Sequence, residues 1–119
     1  MNSLTLAYLG DNIYETYVRK HLVDKGIVKV SLLQKEASKY SSAKGQASFV
    51  KILIEKNFFI QEELDVYYRG RNAKSHTKPK NTDIVTYKIA TGLEALIGYL
   101  YINDQHDRIK KIMEEILGE

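Results

Sequence analysis

The sequence has no cysteine and no tryptophan, and Pro79 is its one proline. Without cysteine there can be no disulfide, zinc–thiolate site, iron–sulfur cluster or thiol nucleophile. With one proline, little interrupts helix formation along the chain. No apolar run reaches the roughly 18 residues that a membrane span needs. The opening MNSLTLAYLGDN has no basic segment ahead of its apolar stretch, so a secretory signal is not expected and a cytoplasmic location is. Glycine-rich phosphate loops and Gly-x-Ser-x-Gly elbows are absent, which removes two common catalytic frames. The three histidines, His21, His76 and His106, have no ligand-type spacing and read as surface or capping residues.

The chain has 119 residues, 44% hydrophobic and 28% charged, the proportions of one globular domain spanning 1–119. Eighteen basic against 15 acidic residues give a net charge of +3, which permits a polyanionic partner. Alternation of the β type is scarce, and apolar residues recur at three- and four-residue spacing. The expectation is an all-α domain of six helices. The first runs from about Leu4 to Lys25, with Gly26 as its stop. A short second opens at a capping box, Ser31 to Gln34. The third spans about Ser42 to Asn57. The fourth starts at Gln61, passes Tyr68 and frays near Gly70. A basic loop around Pro79 follows. Asn81 or Thr82 caps a fifth over Asp83 to Ile102, and Asp104 caps a last one ending near Leu117.

Glu94 is the only charge in the run Ile89 to Ile102. A helix apolar on nearly all sides is central and buried. An ionised carboxylate there is costly unless a cation or hydrogen-bond donors satisfy it. Thr91 and Gly98 flank it on the helical wheel, and both are small enough for a helix or an ion to come close. Asp11 poses the same question in Leu6-Ala-Tyr-Leu-Gly-Asp-Asn-Ile-Tyr14, where it borders the apolar face near Val18 and Leu22. Glu15 lies one turn on. Two such carboxylates make either a site for a hard divalent ion or acceptors for neighbouring helices.

From Arg69 to Lys80 the chain reads RGRNAKSHTKPK, with Arg69, Arg71, Lys74, Lys78 and Lys80 and no acid. This is a footprint for phosphates or a solvated basic loop. Of nine tyrosines, Tyr14, Tyr17, Tyr99 and Tyr101 are read as core or interface residues.

These segments carry a family likeness. Leu6 to Tyr14 resembles the signature helix of the ribonuclease III catalytic domain, and Leu93-Glu-Ala-Leu-Ile-Gly98 resembles its second catalytic helix. The order and the separation of roughly 80 residues agree. Ser42-Ala-Lys-Gly-Gln-Ala47 and Tyr68-Arg-Gly-Arg-Asn-Ala-Lys74 resemble the Mini branch, which is the catalytic domain alone, without a separate double-stranded RNA-binding domain. The resemblance implies a homodimeric, Mg²⁺-dependent endoribonuclease (Mn²⁺ able to substitute) that cuts double-stranded RNA and leaves 5′-phosphate ends. It also implies a role in maturing 23S ribosomal RNA. Asp11 and Glu94 match the family's metal ligands, with Glu15 and Thr91 as outer-shell candidates. Arg69, Arg71, Lys74, Lys78 and Lys80 are the RNA-binding candidates. Larger members carry glutamates where this chain has Leu4 and Ala7, and an aspartate at Thr91. Fewer carboxylates leave a hydroxyl, waters and substrate phosphate to complete a metal's coordination. Two rivals stand beside this reading: an inactive RNA-binding module on the same scaffold, and a helical protein–protein adaptor.

Overall fold

Asn2 begins the chain's helical course by accepting the Thr5 amide on its side-chain oxygen at 2.8 Å. A computed structural model describes residues 1–74 and 82–119. Among these residues there are six helices: α1 (Ser3–Asp24), α2 (Val30–Ser41), α3 (Ala43–Glu55), α4 (Gln61–Arg71), α5 (Ile84–Ile102) and α6 (His106–Leu117). The all-α expectation holds. His76, Lys78, Pro79, Lys80 and the Asn81 cap lie outside the described residues.

α5 is the axis of the fold. Ile89, Leu93, Leu96, Ile97 and Leu100 are buried on different sides of it, and α1, α3, α4 and α6 all pack against it. α1 turns Leu6, Gly10, Tyr14, Val18 and Leu22 inward. α6 contributes Ile109, Ile112, Met113, Ile116 and Leu117, at the three- and four-residue spacing of one helical face. Fully burying one such side chain is worth about 1.5–3 kcal/mol. Arg108 of α6 clamps α4. It donates to Glu63 at 2.7 and 2.9 Å and to the Phe58 carbonyl at 2.7 Å, so a buried carboxylate is matched by a cation. α2 packs on α1 and α3 and has no fully buried residue.

Two close approaches set the geometry that matters most. A Cβ on Gly10 would strike the Glu94 carbonyl, and a Cβ on Gly98 would strike the Leu6 carbonyl. The backbones of α1 and α5 therefore touch where the two acids are carried. The small neighbour expected beside Glu94 admits a helix.

Several boundaries differ from expectation. The Leu33 amide bonds the Lys29 carbonyl at 2.9 Å, so Ser31 already lies inside the first turn of α2 and its capping box does not form. α4 ends at Arg71, next to the end expected near Gly70, and Gly70 itself is packed against Gly92 and Ala95 of α5. Arg69 and Arg71 are accordingly helical, not part of a loop. Asp83, one residue past the expected cap, starts α5 by accepting the Thr86 amide at 2.9 Å. Asp104 adopts a left-handed φ of 58°, and Gln105 occupies the cap of α6 in its place. Gly26, with φ of 88°, ends α1 as expected.

Candidate active site

Asp11 follows Gly10 on α1 and is exposed, at the edge of an open hollow shared with Tyr8, Leu9, Asn12 and Glu15. Glu94 is only partly buried, although its neighbours Leu93, Ala95 and Leu96 are fully enclosed. The Gly10–Gly98 crossing brings the Asp11 and Glu94 carboxyls within hydrogen-bonding reach. Burial, followed by this neighbouring carboxylate, pushes the Glu94 pKa up to about 8; a donor on Gln46 works in the opposite direction. Near neutral pH the pair thus holds a proton or attracts a cation.

Gln46 of α3 sits under the pair, 1% exposed. Its Nε2 donates to Glu94 Oε2 at 3.3 Å and to the Ser41 carbonyl at 3.4 Å. Its Oε1 and the nearby Ser41 Oγ are buried without a partner. The sequence places Gln46 in the Ser42–Ala47 motif without pointing to a role for it. A signal is nonetheless present: Gln46 lies four and seven residues before Val50 and Leu53, on the buried stripe of α3. A polar residue on an apolar stripe is the pattern that singles out Glu94.

The two outer-shell candidates are engaged elsewhere. Glu15 accepts Arg19 Nε at 3.0 Å, one turn along the same helix. The Thr91 hydroxyl donates to the Tyr87 carbonyl at 2.9 Å, which leaves only its lone pairs for a ligand. No group of three or more histidines and acids suited to a metal occurs among the described residues. Beneath the acids, burial and then the charges of Glu15 and Glu94 raise the Tyr14 pKa, so its hydroxyl stays protonated and donates to the Tyr40 carbonyl at 2.7 Å. Tyr14 is core, as expected. His21 is not a surface residue: it is buried against Tyr40, and its Nδ1 pairs with Glu119 at 3.0 Å. His106 is the exposed first residue of α6.

The cationic residues are split. Arg69 and Lys74 line an open groove of about 1260 Å³ with Met1, Leu4, Tyr8 and Tyr68. Arg71 is not part of that lining; its guanidinium lies over the Tyr68 ring, 5.3 Å from the centroid. Residues two apart on a helix face different ways, so the two arginines do not form one patch.

Comparison with known proteins identifies the family. The Ribonuclease III domain family matches residues 4–105. Mini-ribonuclease 3 of Streptococcus pneumoniae is 42% identical, over 95% of this chain and 88% of its own. The Mini-ribonuclease 3 proteins of Enterococcus faecalis and Brevibacillus brevis are 46% and 48% identical, covering 95% and 96% of this chain and 86% and 84% of theirs. A crystal structure of a Fusobacterium nucleatum protein superimposes with a TM-score of 0.86 at 32% identity, over 98% of this chain and 92% of that one. Four sequence motifs in order, the crossing of two acid-bearing helices and relatives matched over most of their length lead to one assignment: the chain belongs to the ribonuclease III family, in its Mini-ribonuclease 3 group.

Proposed function

We propose that this chain is an endoribonuclease of double-stranded RNA in which Asp11 and Glu94 hold a divalent cation, Mg²⁺ or Mn²⁺, between α1 and α5. Family membership supports the activity. The observation that carries the site is the meeting of two carboxylates from different helices, one of them partly buried with a raised pKa. The fit is chemical. Paired hard oxygens with excess negative charge suit a hard cation, and with two protein carboxylates such an ion keeps positions for water and phosphate. A bound divalent ion supplies Lewis acidity to the phosphate and a more acidic water. Asp11, on the exposed side, faces the approaching backbone; Glu94, fixed to the central helix, gives the pair a rigid base. Hydrolysis at the 3′-oxygen leaves 5′-phosphate and 3′-hydroxyl ends.

Arg69, Arg71 and Lys74, together with Lys78 and Lys80 farther along the chain, bind duplex phosphates in this reading. A-form RNA offers shape, phosphates and 2′-hydroxyls rather than readable base edges. The enzyme acts as a homodimer, one site for each strand. Its natural substrate is a duplex stem in a 23S ribosomal RNA precursor, and its location is the cytoplasm. None of the described helices is long and apolar enough to cross a membrane. The test is incubation of long duplex RNA with and without Mg²⁺, with sizing and end-labelling of the products. Mg²⁺-dependent fragments with 5′-phosphates are expected. Binding without cutting would favour the inactive RNA-binding module.

A further inference from the structure

We infer that Gln46 is a positioning residue for Glu94: its amide fixes which carboxylate oxygen the glutamate presents to a divalent ion. The inference rests on the ion site proposed above. Gln46 is 1% exposed, and a buried amide normally has both ends paired. Here only the nitrogen is used. It reaches Glu94 Oε2 at 3.3 Å and the Ser41 carbonyl at 3.4 Å, both at the long end for hydrogen bonds. The oxygen, Oε1, is buried with no donor, and Ser41 Oγ beside it is in the same condition. Long bonds on one end and an orphan on the other make this glutamine a poor stabiliser of the fold. An unbranched apolar side chain of similar length would fill the same space without the orphan.

What the amide does provide is a fixed donor against one oxygen of Glu94. Among the described residues, no other side chain donates a hydrogen bond to that carboxylate. The other group acting on it is Asp11, which repels it once both carboxyls are ionised. With both carboxyls ionised and no donor on Oε2, Glu94 would be free to turn away from Asp11 and the pair would open. With Oε2 held by α3, Oε1 is left for the ion and the side chain stays beside Asp11. α3 is itself anchored just ahead of Gln46, where Ser42 accepts the Gly45 amide at 3.1 Å, so the donor is held on a rigid element.

The experiment measures Mn²⁺ binding by calorimetry on the full chain, alongside thermal melting in chelator. For Gln46→Met the expected result is a melting temperature equal to or above wild type with Mn²⁺ affinity weakened roughly ten- to a hundredfold, as for the removal of a partner that orients a metal ligand. Gln46→Leu should behave the same way and serves if the methionine variant folds poorly. Wild-type Mn²⁺ affinity in either folded variant overturns the inference. Failure of both variants to fold overturns it too, because the amide would then be a fold element. Asp11→Asn separates this from the underlying reading. If Asp11→Asn loses Mn²⁺ while Gln46→Met keeps it, only the positioning role fails. If Asp11→Asn binds Mn²⁺ like wild type, the ion site itself fails and takes the inference with it.

Discussion

A carboxylate set beside another carboxylate on a buried helix costs free energy until a proton or a cation joins it. Glu94 is in that position: its pKa rises from 4.5 in an unfolded chain to about 8 in the fold, through burial first and Asp11 second. The sign follows from linkage. Below pH 4.5 both states are protonated and there is no penalty. Between the two values the folded chain keeps a proton that the unfolded chain has released, so stability falls as pH rises; above 8 the penalty is complete. Glu94→Gln should therefore match wild type near pH 4.5 in chelator and exceed it at pH 8.5, by on the order of a few kcal/mol at most. Urea titrations at the two pH values measure the gap, and equal midpoints at pH 8.5 would contradict it. Added Mg²⁺ should close the gap by stabilising wild type alone. The same substitution should lower cleavage of duplex RNA about a hundredfold or more, equivalent to roughly 2.7 kcal/mol of transition-state stabilisation, with the fold intact. Glu94 stands out in sequence because an acid inside an apolar period is anomalous; Asp11, at the border of its helix's apolar face and exposed in the fold, stands out less. Gln46 does not, since a neutral amide on a buried stripe gives a weaker signal than a charge, and its partner lies 48 residues away.

At the scale of elements, the α1–α5 crossing governs assembly. Gly10 and Gly98 face each other's helices, each occupying space where a Cβ would overlap backbone rather than a movable side chain. Gly98→Ala should force the helices apart and cost about 2 kcal/mol or more, beyond the usual cost of overpacking because no side chain can yield. It should also separate Asp11 from Glu94 and weaken Mn²⁺ binding in protein that remains folded. Chemical denaturation and calorimetry report the two effects; a variant as stable as wild type would mean the crossing can relax. Helix existence is readable from period alone, and α5 is readable as central because it is apolar all round. Helix ends are less readable. Gly70 signals a stop by propensity, and α4 ends one residue beyond it, at Arg71. Asp104 has the composition of a cap, but the chain uses it as a left-handed turn residue.

For the whole molecule, charge and exposed apolar surface bear on RNA grip and assembly. Arg69→Ala and Arg71→Ala together should weaken duplex binding across sequences and reduce the salt slope by up to about one unit for each phosphate no longer neutralised. Since the two side chains face different ways on α4, single substitutions should act nearly additively; unchanged affinity and slope would make them solvated surface. The proposed dimer would use the side of α1 turned away from the core. Tyr8 is 84% exposed, and Met1 and Leu4 are also uncovered. With Tyr68 they line the groove that also carries Arg69 and Lys74. In the proposed dimer the apolar part of this cluster, Met1, Leu4 and Tyr8, would be the part a partner covers, with Arg69 and Lys74 left at its rim for RNA. A stable interface needs about 800 Å² per subunit, and a twofold arrangement brings the same patch to both sides. It would also give one pair of acids to each RNA strand. Sedimentation at micromolar concentration should yield twice the 13.7 kDa chain mass. Tyr8→Asp places a charge on that patch and should shift the protein to the monomer with the core intact. A wild-type chain that sediments as a monomer, or a Tyr8→Asp variant that remains a full dimer, would locate the assembly surface elsewhere or remove it.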